Sequence, residues 1–335
     1  MSILSRSLAV GVLAIATLSG VAAHADNKIR ILCPTWVGYA PVFVANQLGY
    51  FKALGIEVEI KFEDERANVM AAMARGDIEL DMRTVGEYQG KPRDPSTPGI
   101  IIGTIDQSLG GDGVIADGSI KSVEDLKGKT VAAEPNIPAR LLLQLELKKH
   151  NMTLADLNIK EIATADTVAV FSDSSIAAVA TYQPFQQQAL IKVTSRNPHT
   201  LVTSNDYPGI ITDIIVVRQD DLKQNPDKYR KYLIGIYKAI EYFKTNRDDF
   251  IKISAPNFNL SPADFAASID GSIKYTDFHQ SAEYLGKPGA NGSLFGLFET
   301  VMQLNLDNGA ASYHLVASQQ IDNSIMGGIS DSDLK

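Results

Sequence analysis

The sequence predicts a two-lobed α/β protein with a helical C-terminal extension, and three observations carry that prediction. Short apolar runs alternate with helix-like segments as far as Arg218, the pattern of strands covered by helices. Beyond Arg218 the apolar residues recur at helical spacing instead. No internal repeat or low-complexity linker separates the parts, so a chain crossing between two lobes must cross through ordered strands.

The elements follow in order. Residues 28–33 form an apolar run that reads as a strand, and Pro41 and Gly49 bracket a helix, one suited to its first turn and the other to its C′ position. Residues 56–62 alternate apolar and charged side chains, as a half-exposed strand does. A helix over 68–74 stops at Gly76-Asp77, and 100–105 is a short buried strand. Further strands are expected at 114–116, 130–133, 176–181 and 210–218, with a helix over 138–150. Helices over 226–244, 261–274 and 294–306 make the extension, the first with Tyr229, Leu233, Ile236, Tyr237 and Ile240 on one core-facing stripe.

The N-terminus reads as a secretory leader over residues 1–25. Arg6 supplies its charge, Leu8 to Leu18 its apolar core, and Ala23-His24-Ala25 its cleavage site. No stretch offers the roughly 20 apolar residues a membrane-spanning helix needs. The whole chain of 335 residues carries a net charge of −8, near −9 once Arg6 is removed. With no basic stripe, nucleic-acid binding is excluded, and an exported, periplasmic, freely diffusing monomer is expected. Cys33 is the only cysteine and lies in an apolar run, which rules out an intramolecular disulfide and points to a buried thiol.

Catalytic and cofactor motifs are absent from the sequence. Gly111-Asp112-Gly113-Val114-Ile115-Ala116 matches a loose dinucleotide pattern, but a strand follows where that motif opens a helix. Asp106-Gln107-Ser108-Leu109-Gly110 lacks the leading glycine of a nucleophile elbow. The histidines are scattered, and no zinc or calcium motif appears, so neither a metal nor another cofactor is expected.

Trp36-x-Gly38-Tyr39-x-Pro41, the following Val/Ala-rich helix and Gly49-Tyr50-Phe51 resemble the start of NitT/TauT-type solute-binding proteins, which serve ABC importers of nitrate, sulfonates, taurine and related molecules. Gly76-Asp77-Ile78-Glu79, Asp106-Gln-Ser-x-Gly-Gly-Asp-Gly with the segment 120–131, Ala180-Thr-Tyr-Gln-Pro-Phe and Asp206-Tyr-Pro-Gly-Ile-Ile-Thr-Asp213 extend the likeness over most of the chain. The resemblance implies a type II-like periplasmic binding protein fold: two α/β lobes joined by two crossing strands that bend as a hinge around a small solute. Lobe one would comprise 26–109 and 217–335, and lobe two 110–216. It also implies an ABC permease and its ATPase as partners. The pyrimidine synthase of thiamine biosynthesis shares this fold but resembles a cysteine-rich, iron-binding variant that one cysteine cannot reproduce. A binder of a thiamine-pyrimidine precursor, and a sensor that presents its closed form to a receptor, stand as alternatives.

In such sheets a ligand sits beyond the carboxyl ends of the strands. The loops there are 34–40, 83–87, 106–111, 134–139 and 182–185. The helices opening near Pro41 and Pro138 would aim free N–H groups inward, as an anionic ligand group requires. The candidate contacts are Trp36, Tyr39 and Tyr182 as aromatic walls, with Arg83, Asp106, Ser108, Asp112, Glu134, Asn136 and Asp213 as polar partners. Acids outnumber bases among them, and an uncompensated carboxylate beside a desolvated anion is costly. The expected solute therefore bears an amine, amidine or guanidinium-like group, alone or as a zwitterion, with Asp106 and Asp112 as its cation partners.

Overall fold

The computed structural model describes residues 27–335, so the leader expected at 1–25 lies outside the described residues. In chain order the strands are β1 (Lys28–Cys33), β2 (Glu57–Phe62), β3 (Leu80–Thr84), β4 (Ile100–Ser108), β5 (Asp112–Ala116) and β6 (Thr130–Ala133). Then come β7 (Asn158–Glu161), β8 (Ile176–Tyr182), β9 (His199–Thr203), β10 (Thr212–Val217) and β11 (Ile273–Tyr275). These eleven assemble as two sheets, and a short hairpin of Gly286–Lys287 with Ala290–Asn291 stands apart from both. One has the order β11-β4-β10-β3-β1-β2, the other β7-β6-β8-β5-β9. Helices cover both, and the two-lobed α/β class expected from the sequence is what the chain adopts.

Within the larger sheet β1 runs parallel to β2 and β3, while β10 inserts antiparallel between β3 and β4. In the smaller sheet β6 is parallel to β7 and β8, and β5 is antiparallel to β8 and β9. The chain passes from one sheet to the other twice, between β4 and β5 and again between β9 and β10. Because β10 pairs in the first sheet, the return occurs before Thr212; the second-lobe boundary expected at residue 216 is moved back by that strand. The helix expected over 261–274 is also corrected. It closes at Ile269, and Ile273–Tyr275 pairs with β4 as an edge strand.

The two crossings are tied to each other. Ser204, on the return, accepts a hydrogen bond from the Gly110 amide at 2.6 Å, and its hydroxyl pairs with that of Ser108 at 2.8 Å. Ser108 Oγ in turn accepts from the Asp112 amide at 3.1 Å, and the Ser108 amide donates to Ile211 O. Gly110 has φ of +102°, a conformation that favours glycine. The two crossings are thus held together by serine hydroxyls, which can serve as donor or acceptor, beside a glycine in the left-handed region.

The extension packs on the first lobe. The helix Pro226–Thr245 buries the expected stripe of Tyr229, Leu233, Ile236, Tyr237 and Ile240, and Tyr232 besides, and packs against the helices Ala40–Gln47 and Tyr50–Ala53. Phe51 stacks on Tyr232 with ring centroids 5.5 Å apart. A Cβ on Gly235 would stand 2.4 Å from the Phe51 ring, which is itself stacked on Tyr232. Gly235→Ala should therefore destabilise the protein by about 1–3 kcal/mol as an overpacked core site. Urea denaturation of the two proteins measures it, and equal midpoints would show that the ring relocates freely.

Candidate functional site

β1 ends at Cys33 and the chain turns through Pro34, bringing Trp36 and Tyr39 over the carboxyl ends of the first sheet. From the other lobe, β5 delivers Asp112 and β8 delivers Tyr182. These residues meet between the lobes. An inner cavity of about 20 Å³ is lined by Trp36, Tyr39, Asp112, Tyr182 and Asp213, together with Pro34, Thr84, Glu87 and Pro138. Trp36 and Tyr182 touch edge to face across the cleft, with centroids 6.0 Å apart. Thr84, Glu87 and Pro138 also border a larger groove of about 310 Å³ that contains Lys91, Asn136, Arg140 and Asn305.

The wall is acidic. Asp106 and Asp213 stand opposite each other on β4 and β10, both buried. The indole N–H of Trp36 donates to Asp106 Oδ1 at 3.2 Å, and Tyr39 O–H donates to Asp213 Oδ1 at 2.6 Å. Asp213 Oδ2 is buried without a hydrogen bond among the described residues. Burial pushes the Asp106 carboxyl up, with Trp36 and Asp213 moderating the rise. Burial also pushes Asp213 well above the carboxylate range, and the neighbouring Asp106 adds to it. The two facing acids thus favour sharing a proton. Asp112, buried beside them, is pushed up to about 8 by desolvation. Glu87 is held by the capping box of its own short helix, Val85–Gln89, accepting from the Thr84 amide and hydroxyl at 2.9 and 2.8 Å. No lysine, arginine or histidine lines the inner cavity.

Bare backbone holds the tryptophan in place. A Cβ on Gly38 would lie 2.2 Å from Trp36 Nε1 and 2.3 Å from Asp106 Oδ2, and one on Gly111 would lie 2.6 Å from the far edge of the indole. The glycines flanking the first crossing and the aromatic loop are therefore what allow Trp36 to reach Asp106.

The remaining sequence candidates are distributed less evenly. Arg83 shares a face of β3 with Asp81 and forms a buried bidentate ion pair with it; it borders two small side cavities, not the inner one. Ser108 belongs to the crossing and touches Ser204. Glu134 accepts from the Thr164 amide and hydroxyl, is pushed up to about 6 by burial, and shares a side cavity with Asn136 and Tyr182. Asn136 reaches across the groove to Lys91 O at 3.3 Å. Thr84 and Glu87 are wall residues the sequence reading did not select for the site, although Thr84-x-x-Glu87 is a legible capping box. The helix Pro138–Lys149 does open at the cleft, its Pro138 bordering both spaces. Among the described residues there is no cluster of metal-ligating side chains and no helix long and apolar enough to cross a membrane.

With this geometry in hand, comparison with known proteins is direct. A family model described as NMT1/THI5 like matches residues 36–250. A protein of Brucella abortus (strain 2308), which carries only a provisional description as a binding protein, is 23% identical over 279 residues, covering 82% of this chain and 84% of its own. The alkanesulfonate-binding protein SsuA of Xanthomonas axonopodis pv. citri, solved with bound MOPS, superimposes with a TM-score of 0.73 at 13% identity, covering 89% of this chain and 99% of that one. The periplasmic nitrate-binding protein NrtA of Synechocystis PCC 6803 gives 0.69 at 15% identity, covering 92% and 87%. The fold is that of these periplasmic binding proteins, as the sequence resemblance implied.

The buried acids make the stability of the ligand-free protein depend on pH. Each is raised, so the folded state holds protons that the unfolded state has released above its ordinary carboxylate range, and stability falls as pH climbs toward the folded values. Unfolding free energy should therefore decline between pH 5 and 7. Asp112→Asn should remove one proton's share of that slope, about 1.4 kcal/mol per pH unit. Denaturant titrations across this range test it; identical slopes for the two proteins would show Asp112 to be ionised throughout.

Proposed function

The chain belongs to the NMT1/THI5-like family, and from that premise we propose that it is the exported solute-binding component of an ABC-type importer, specific for a small organic solute with a positively charged head. The observation that carries this reading is the inner cavity, where Asp112, Asp213 and Glu87 face three aromatic rings and no basic side chain. A cation there would displace the protons that burial keeps on Asp112 and Asp213 and pair with the carboxylates, while a nitrate or sulfonate would find no basic side chain in the cavity. Trp36 and Tyr182 would clasp the head from opposite lobes. In a zwitterionic solute, amino sulfonates included, the anionic end would extend into the groove, where Lys91, Arg140 and the start of the helix Pro138–Lys149 lie.

Closure follows from the same arrangement. The inner wall has Trp36, Tyr39, Thr84, Glu87 and Asp213 on one lobe and Asp112, Pro138 and Tyr182 on the other. A solute touching both has greater affinity for the closed form and shifts the population toward it, and the closed form is what the permease would recognise. The reading excludes catalysis as the role of these acids: what they contribute is charge and fit. A second reading names the head more closely. An amino-substituted pyrimidine of the thiamine-precursor type is flat and basic, and aromatic residues line the cavity; the edge-to-face contact of Trp36 and Tyr182 would have to open for it to stack.

Thermal unfolding of the exported form, with calorimetry to follow, tests both readings against guanidine, small amines, aminopyrimidines, taurine, nitrate and alkanesulfonates. A cognate cation at about 100 times its Kd should add about 2.7 kcal/mol to stability. Asp112→Asn should weaken its binding at least tenfold, the direction set by losing a buried charge partner. Because cation binding needs ionised Asp112, whose carboxyl burial has raised to about 8, affinity should rise from pH 6 to 8 with proton release, then level off. Tight nitrate or sulfonate binding, with no amine recognised, would overturn the proposal.

A further inference from the structure

Beside Asp81 and Arg83 of β3 lies a second small space of opposite charge. A cavity of about 10 Å³ is lined by Arg66, Arg83 and Arg93, with Asp81 as its single acid and Val69, Met70, Met73, Tyr88, Pro98 and Val216 completing the wall. Arg83 is matched by Asp81 in a bidentate pair. The other two guanidinium groups have no carboxylate. Arg66 donates to the carbonyls of Gly90 at 2.6 Å, Tyr88 at 3.3 Å and Lys91. Arg93 stacks over the Tyr88 ring at 3.7 Å and donates to Tyr88 Oη, Gly99 O and Thr97 O. Carbonyl, phenol and ring contacts orient a cation without cancelling its charge.

Two donors remain over. Arg66 Nε and Arg93 Nε are each buried and make no hydrogen bond among the described residues. Desolvation lowers Arg66 to about 9, and repulsion from Arg83 acts in the same direction; desolvation lowers Arg93 as well. A buried donor left unpaired is costly, more so when it is charged. The space admits one occupant of roughly atomic size. Its thioether and aliphatic wall suits a weakly hydrated, polarizable particle better than a divalent oxyanion.

We propose that this cavity is a structural site for a monovalent halide, chloride under ordinary conditions, bound by the uncompensated guanidinium groups of Arg66 and Arg93. The anion sits beneath the helix Arg66–Arg75 and against the segment that carries Arg93, and so ties the first lobe's α-helical layer to the loop before β4. It is distinct from the inner cavity of the solute cleft, with which it shares no lining residue.

Crystals of the protein grown with bromide in place of chloride decide the matter by anomalous diffraction. An anomalous peak in this cavity is expected, and its absence at saturating bromide overturns the proposal. In solution, chloride at constant ionic strength, with gluconate as the balancing anion, should raise Tm saturably by about 2 °C or more. Arg66→Gln should abolish that rise. A variant that responds to chloride like the parent counts against the site. Should Arg66→Gln fail to fold, Arg66→Lys replaces it: it keeps the charge but lacks the Nε donor, and a weakened chloride response is expected.

Discussion

Two carboxyl groups facing each other across neighbouring strands set the terms for the rest of this molecule. Asp106 on β4 and Asp213 on β10 are opposed because β10 returns from the second lobe into the middle of the first sheet. Ionised carboxylates buried this close repel strongly, so the pair is held through donors, the Trp36 indole on one side and the Tyr39 hydroxyl on the other. Those donors are placed by the turn after β1, and the turn tolerates them because Gly38 has no side chain to collide with the indole. The aromatic wall is thus the hydrogen-bonding shell of the acids as well as a surface for a ligand.

The position of the pair also explains where the hinge must be. β4 ends at Ser108, two residues beyond Asp106, and β10 begins one residue before Asp213, so both crossings spring from the acid pair itself. Asp112 lies just past the first crossing, on the other lobe. Any opening of the lobes would separate Asp112 from Asp213, rehydrate both and lower the cost of ionising them. Under the proposed function, closing around a cation reverses this: the solute supplies the charge that dehydration demands. Lobe closure and charge neutralisation are then one event, and the Ser108–Ser204 contact keeps the ribbons registered while it happens.

Much of this architecture could be read from the residues. The helix bracketed by Pro41 and Gly49, the stripe from Tyr229 to Ile240, and the strands at 130–133 and 176–181 are strongly patterned, and each formed where periodicity put it. The exceptions have physical causes. Residues 273–275 continue a helical spacing but follow Gly271 at φ +67°, and the open edge of β4 claims them as a strand. The lobe boundary was misplaced because a buried apolar run at 212–217 does not announce which sheet it will join; only pairing decides that. In the site, acids and aromatics clustered in loops were legible as a set. The fate of Arg83 was not, since pairing with Asp81 two residues away on a strand competes with any role toward the cleft. Nor could local sequence foretell that Arg66 and Arg93 would converge.

That convergence bears on how the acidic cleft is tolerated at all. β3 is buried along its length and carries charge on one face only, Asp81 and Arg83, while Leu80, Met82 and Thr84 occupy the other. Thr84 borders the inner cavity and Asp81 and Arg83 the arginine-lined space, while a further small cavity brings Arg66 and Arg83 together with Glu87, Glu134 and Tyr182, so opposite buried charges act on each other with little screening. Glu87 and Asp81 favour the charged form of Arg66. An anion held between Arg66 and Arg93 would take over part of that role, leaving the cleft acids more dependent on a cation of their own. The two buried sites are in this sense linked through a single strand: charge added at one changes what the other demands, without any movement of the backbone between them.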